Sequence, residues 1–293
     1  MFTGSCVALV TPFKNNEVDK EKLRELVEFH LSNGTDAILP CGTTGESATL
    51  SYEEHIEVIR IVVETVKKRI PVIAGTGSNS TRETYELTKH AKEIGADAVL
   101  LVAPYYNKPT QKGLYEHYSF IAKNVDIPII IYNIPGRTGV NISPETIISL
   151  AKAHKNVIGV KEASGSIDQV SEIVRNTAEL NFSVFSGDDS LTLPILAVGG
   201  KGVISVIANI LPRDTHNLCE YWFKGDVKKA QELHLKMFPL VKALFIETNP
   251  IPIKAAMGML GLCSDELRLP LVPMEEKNRE KLYQALKNYG LVE

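Results

Sequence analysis

The sequence predicts an α/β protein, a (β/α)8 TIM barrel with a C-terminal helical appendage. Three observations carry that prediction. Short apolar runs alternate with helix-like stretches eight times in about 220 residues, close to the size of such a barrel. The runs are short and rich in β-branched residues, as strands buried on both faces are. After Gly225 the strand pattern stops and only helical spacing continues. The division that follows is 1–224 for a barrel catalytic domain and 225–293 for a helical domain. An open, doubly wound sheet would show the same alternation, and periodicity leaves it as the structural alternative.

Each element has a local reason. Cys6 to Val10 is the first apolar run, and Asp19 caps a helix with Leu23, Leu26, Val27 and Leu31 at helical spacing. Ala37 to Leu39 is the second strand, followed by Cys41-Gly42-Thr43-Thr44-Gly45-Glu46. Ser51 with Glu54 makes a capping box for a helix through Val66. Pro71 to Ala74 is the third strand, and Ser80 with Glu83 makes a second capping box for a helix to about Ile94. Ala98 to Val102 is the fourth strand, with a helix from Lys112 to Lys123. Pro128 to Tyr132 is the fifth, and Pro144 after Ser143 suits a first helical turn. Val157 to Lys161 is the sixth, and Ser166 with Gln169 opens its helix. Phe182 to Phe185 is the seventh, with Asp189 to Val198 behind it, and Gly202 to Val206 is the eighth. The appendage reads as helices over Asp226 to Thr248, Ile253 to Leu260 and Glu275 to Asn288.

Composition narrows the function. The chain has 293 residues, 44% hydrophobic and 23% charged, with a formal net charge of -3. That balance suits a sizeable core and points to no nucleic-acid or other polyanion partner. No apolar run reaches the ~20 residues of a membrane helix. Met1 to Ser5 lacks the basic and apolar regions of a signal peptide, so the expected location is the cytoplasm. Cys6, Cys41, Cys219 and Cys263 form no C-x-x-C and read as small buried thiols in a reducing compartment. The seven histidines make no H-E-x-x-H and no cluster with cysteine, so no metal site is expected.

Lys161 is the residue around which the chemistry gathers. An ammonium at the end of an apolar strand is costly to bury, and desolvation lowers its pKa toward a nucleophilic amine. Strand alternation puts Lys161 on one face with Gly159 and Val157, and Glu162 on the other. The plainer reading is a strand-end lysine that snorkels into water. Barrel enzymes place reacting groups at the C-terminal ends of strands. Here that rule collects Thr43 and Thr44, Tyr105 and Tyr106, Tyr132 and Arg137, Lys161, Gly187, Asp188 and Asp189. An amine can form an imine with a ketone, and hydroxyls can relay the protons. Arg137 can clamp a carboxylate, and the backbone N–H groups around Thr43 and Thr44 can cradle another anion. The substrates implied are small carboxylates, one of them an α-keto acid.

Taken singly, these residues have plainer readings. Tyr132 can be a packed tyrosine, Gly42 to Gly45 a tight turn, and Arg137 half of a surface ion pair. Gly75-Thr76-Gly77 lacks the third glycine of a dinucleotide loop. Gly199-Gly200-Lys201-Gly202 precedes the eighth strand and so falls at the bottom of the barrel. The acidic pair Asp188-Asp189 disfavours a phosphorylated substrate.

Five motifs, in order along nearly the whole chain, resemble one family. They are Gly42-Thr43-Thr44-Gly45-Glu46, Pro104-Tyr105-Tyr106-Asn107-Lys108-Pro109, Tyr132-Asn133-Ile134-Pro135-Gly136-Arg137-Thr138-Gly139, Val160-Lys161-Glu162-Ala163 and Ser186-Gly187-Asp188-Asp189. The chain is similar to the pyruvate-dependent class I aldolases and lyases typified by dihydrodipicolinate synthase. The resemblance implies a Schiff base between Lys161 and pyruvate. It implies a proton relay of Tyr132, Thr43 and Tyr106, with Tyr106 supplied by a neighbouring subunit. It implies that Thr44 holds the pyruvate carboxylate, that Arg137 receives aspartate 4-semialdehyde, and that Gly187 and Ile204 line the pocket. The product would be 4-hydroxy-tetrahydrodipicolinate, on the route to lysine and diaminopimelate. No metal or organic cofactor is implied, and the expected assembly is a homotetramer of tight dimers. Ser47, Ala48, His55, Asn79, Glu83 and Tyr105 match an L-lysine inhibitory site, although Tyr52 departs from a histidine found in some sensitive enzymes.

The nearest alternative is an N-acetylneuraminate lyase-like enzyme or a keto-deoxy sugar-acid aldolase of the same superfamily. Arg137 with Thr138 favours a semialdehyde carboxylate over a polyhydroxylated aldehyde. A pyridoxal phosphate enzyme and a barrel that only binds are the rivals from other classes.

Overall fold

The computed structural model describes residues 3–293. Its centre is one parallel sheet of eight strands, β1 (Gly4–Ala8), β2 (Ala37–Leu39), β3 (Ile73–Gly75), β4 (Ala98–Val102), β5 (Ile129–Asn133), β6 (Val157–Glu162), β7 (Ser183–Ser186) and β8 (Gly202–Ser205). β1 pairs with β8 through Gly4↔Gly202 to Val7↔Ser205, and with β2 through Cys6↔Ala37 to Ala8↔Leu39. From β8 the pairing continues through β7, β6, β5 and β4 to β3. A bridge between Ile38 and Val72 joins the two ends of that ladder. First strand against last is what an open doubly wound sheet does not do; this is the (β/α)8 barrel.

The helices follow the strands: α1 (Lys20–Ser32), α2 (Tyr52–Val66), α3 (Thr81–Ile94), α4 (Gln111–Asn124), α5 (Pro144–Ala153), α6 (Ile167–Thr177), α7 (Thr192–Ala197) and α8 (Pro212–Phe223). α8 was not singled out by pattern. It begins on Pro212 without a side-chain cap, so no capping residue announces it. Three helices form the appendage, α9 (Val227–Ala243), α10 (Ile251–Met259) and α11 (Glu276–Tyr289). α9 packs on α8, and α11 packs on α9 and α10.

Most boundaries move by one or two residues, for visible reasons. β1 stops before Val10 because the Val10 N–H donates to the side chain of Asn209. β3 starts after Pro71, which has no N–H, and Val72 gives its own N–H to Asp97. α9 ends at Ala243 rather than Thr248. Its last N–H groups fall back to i−3 carbonyls, and tight turns carry the chain to Asn249. At the bottom of the barrel Gly202, with φ +151°, lets strands one and eight approach. A Cβ there would stand 1.9 Å from the Gly4 carbonyl oxygen.

Two caps differ in a way that matters later. At α2 the box is complete, with Ser51 accepting from the Glu54 N–H and Glu54 accepting from the Ser51 N–H. At α3 only half of the expected box forms. Ser80 accepts from the Glu83 N–H, but the Glu83 carboxylate accepts from the Ser78 hydroxyl instead.

The core has two layers. Inside the barrel, Cys6, Leu39, Leu100, Ile130, Phe185 and Ile204 are packed together with Tyr132. A larger apolar layer lies between barrel and helices. One sequence expectation is corrected here. β5 and β6 are out of step by one residue, Ile129 opposite Val157 but Ile130 opposite Gly159. The irregularity breaks the alternation, so Val157 joins the outer layer and Ile158 packs against the inner one. Gly159, still in step with Lys161, keeps the lysine's face.

Candidate active site

β6 delivers Lys161 to the mouth of the barrel, opposite Tyr132 of β5 in register. Its Nζ stands 4.3 Å from the centroid of the Tyr132 ring. Lys161 is only 6% exposed. Burial draws its pKa from 10.5 down to about 8; the nearby Cys6 and Asp189 oppose that shift, and Arg137 adds a little to it. Glu162 takes no part in this. Its carboxylate faces the other way and accepts from Asn133, Gln169 and the Ser164 N–H. Gly187 completes the space around the lysine stem, since a Cβ there would lie 3.1 Å from Lys161 Cγ.

Tyr132 is buried, and burial pushes its phenol well above the usual value; Arg137 pulls it down and Asp188 pushes it up. The hydroxyl therefore stays protonated and can act as a donor. Above the pair is a cavity of about 80 Å³, walled by Thr43, Thr44, Gly187, Val206, Arg137 and Asn249. That is room for roughly five waters, or a molecule with about that many heavy atoms. Thr44 accepts a hydrogen bond of 3.0 Å from the Asn249 side-chain amide. Arg137 rides on the single helical turn Pro135–Thr138 after β5 and donates to the Asn249 carbonyl at 2.8 Å. Among the described residues it is not half of a surface ion pair.

A wider cleft of about 470 Å³ adjoins this cavity, and Thr43, Arg137 and Asn249 belong to the walls of both. Ser47, Ala48, His55, Glu83 and Tyr105 line it. Asn79 does not; its carbonyl accepts from the Asn107 side chain. His55 is buried, and its Nε2 lies 2.7 Å from the Gly75 carbonyl, which leaves one ring nitrogen for a ligand. Burial lowers its pKa below the usual histidine range, with that carbonyl and Glu83 opposing.

Besides Asn79, two more expected site residues lie outside both linings. Tyr106 is 89% exposed and lines neither cavity. Its backbone is held at φ +72°, with its N–H donating to the Thr138 carbonyl at 3.3 Å. Ile204 is fully buried in the apolar layer below, and Val206 takes the place in the cavity wall.

A model of the dihydrodipicolinate synthetase family matches residues 1–289. The chain belongs to that family. It is 60% identical over 292 residues to a 4-hydroxy-tetrahydrodipicolinate synthase of Syntrophus aciditrophicus, covering 100% of both chains. A chloride-inhibited dihydrodipicolinate synthase of Acinetobacter baumannii, solved with pyruvate, superposes with a TM-score of 0.97 at 47% identity, covering 100% of each chain. One from Cyanidioschyzon merolae, solved with lysine bound, gives 0.96 at 43% identity, covering 99% of each.

Asn249, in the wall of both cavities, carries no mark in the sequence periodicity. Its side chain is buried, donates to Thr44, and leaves its Oδ1 without a hydrogen-bond partner among the described residues. The sequence held one usable signal: Asn249 precedes Pro250, and a residue before proline is pushed out of the helical region. Among the described residues no group of three or more His, Cys, Asp or Glu could hold a metal ion, and no helix is long and apolar enough to cross a membrane.

Proposed function

We propose that this chain condenses pyruvate with aspartate 4-semialdehyde to give 4-hydroxy-tetrahydrodipicolinate, with Lys161 as the Schiff-base residue. The observation that carries the reading is a desolvated amine beside a protonated tyrosine, in a cavity of about 80 Å³, which suits a small keto acid. The neutral fraction of Lys161 attacks the keto carbon. The carbinolamine loses its hydroxyl as water, and the proton for that step comes from Tyr132. The protonated imine then withdraws electrons from the neighbouring methyl carbon, which gives up a proton to the Tyr132 phenolate left by that step and becomes an enamine. The enamine carbon bonds to the aldehyde carbon of the second substrate, whose C=O opens to a hydroxyl as its oxygen takes the proton from Tyr132. Attack of an amine or water on the imine carbon frees Lys161.

Thr44 and the N–H groups beside it hold the pyruvate carboxylate, and Thr43 extends the relay from Tyr132. Arg137, at the rim, receives the carboxylate of the semialdehyde. Tyr106, turned away from its own cavity, serves the relay of a neighbouring subunit in a homotetramer built of tight dimers. The outer cleft takes L-lysine as an inhibitor through Ser47, Ala48, His55, Glu83 and Tyr105, with Asn79 beside them. A relative solved with lysine bound supports that part of the reading. The enzyme belongs to the cytoplasm, where the four free cysteines stay reduced.

Borohydride reduction tests the core of this. With pyruvate present, peptide mapping should place a pyruvate-derived adduct on Lys161. An adduct elsewhere, or none, would remove the mechanism. Faster turnover with N-acetylmannosamine than with the semialdehyde would move the chain to the sugar-acid branch.

A further inference from the structure

The loop after β2 carries Thr43 and Thr44, and it is strained. Two non-glycine residues in it, Cys41 and Glu46, have φ of +57° and +52°. Such backbone persists only where the surroundings hold it. The hold on Glu46 comes from the appendage. Its buried carboxylate lies 2.5 Å from Lys254 Nζ, and both side chains are essentially inaccessible to water. The same carboxylate accepts the Arg268 N–H at 3.1 Å. Lys254 also donates to the Glu266 carbonyl at 2.8 Å and sits 4.0 Å above the Phe13 ring.

Lys254 stands on α10, five residues after Asn249. The turn and the helix therefore grip one loop at two points, Thr44 through Asn249 and Glu46 through Lys254. A buried ion pair is a poor means of adding stability, because a well-packed apolar pair of the same size does as well or better. What such a pair adds is a fixed direction, and here the part it fixes is the anion cradle. We propose that Lys254 is a positioning residue: through Glu46 it holds the Thr43–Thr44 loop in the geometry that binds the carboxylate of the keto acid. The proposal rests on the functional reading above.

The test separates stability from binding. Lys254→Met leaves Glu46 charged and alone, and should be destabilised. Lys254→Met with Glu46→Gln removes both charges and should regain most of that stability in urea unfolding. The double variant should nevertheless keep a KM for pyruvate raised about tenfold, with the KM for the semialdehyde changed less than about twofold. Hydrogen exchange in the Thr43–Thr44 loop should be faster. Near-native stability together with a native KM for pyruvate would overturn the proposal. So would an equal loss for both substrates. Should the double variant not fold, Glu46→Gln alone decides by the same split, since it keeps the side chain's size and an acceptor for Arg268. Failure of the wild-type chain to trap pyruvate on Lys161 would instead overturn the functional reading, and the exchange measurement would still report on the loop.

Discussion

At the scale of single residues, buried Lys161 costs the fold stability. Its folded pKa is about 8, against 10.5 for the free side chain, and burial is the main cause. Below pH 8 the ammonium is charged in both states, and folding bears the whole cost of burying it. Between about 8 and 10.5 the unfolded chain binds more protons, so stability rises with pH; above 10.5 the difference is gone. The cost at neutral pH is on the order of 3 kcal/mol. Lys161→Met should therefore be more stable than wild type at pH 7 by up to about that amount, with the gain fading as pH approaches 10.5. Urea titrations at several pH values would show it, and a pH-independent difference would contradict it. The initial rate of adduct formation in the wild type should rise with pH and level off above about 8 rather than above 10.5. Lys161 was legible in the sequence because burial at a strand end is written in its neighbours. Val157's face was not, since the irregularity in β6 has no marker in the letters.

At the scale of elements, two cap motifs that read alike behave differently. Glu54 completes its box and also receives both guanidinium arms of Arg268 at 2.6 Å. Glu83 leaves its box unmade and turns its carboxylate to Ser78, in the wall of the outer cleft. A capping motif specifies the backbone side of the exchange, but the acid's partner depends on what the rest of the fold brings near. Glu54→Ala should therefore destabilise the chain by roughly 1–2 kcal/mol, for a lost box arm and a partly buried ion pair. Glu83→Ala should change stability by less than about 0.5 kcal/mol, as an exposed substitution does. If the cleft binds L-lysine, the same Glu83→Ala chain should lose inhibition while keeping its uninhibited rate. Initial rates against lysine concentration, beside urea unfolding of both variants, measure the two effects separately. Unchanged inhibition in the Glu83 variant would remove that residue from any regulatory site.

At the scale of the whole molecule, the barrel and the place of Lys161 were legible because eight buried strands impose a repeating pattern and the mouth of a barrel is a fixed address. Asn249 was hidden because its role depends on how the appendage folds back over that mouth, a contact spanning 205 residues. Tyr106 belongs to a still larger scale. It is 89% exposed, on a backbone held in the left-handed region, and it lines neither cavity of its own chain. If its hydroxyl serves a neighbour, the site is completed across a two-fold interface, where each protomer gives what it receives. Two variants turn this into a measurement. Lys161→Ala lacks the nucleophile, and Tyr106→Phe lacks the donated hydroxyl; each alone should be nearly inactive. In a mixed dimer the Tyr106→Phe protomer keeps its lysine and receives an intact tyrosine from its partner, so one of the two sites is whole. Random reassembly of equal amounts makes half the dimers mixed, and activity should return to about a quarter of wild type. A tyrosine acting within its own chain would give no recovery at all. Neither would a chain that stays monomeric in sedimentation at the assay concentration, and full activity from such a monomer would rule out the shared site.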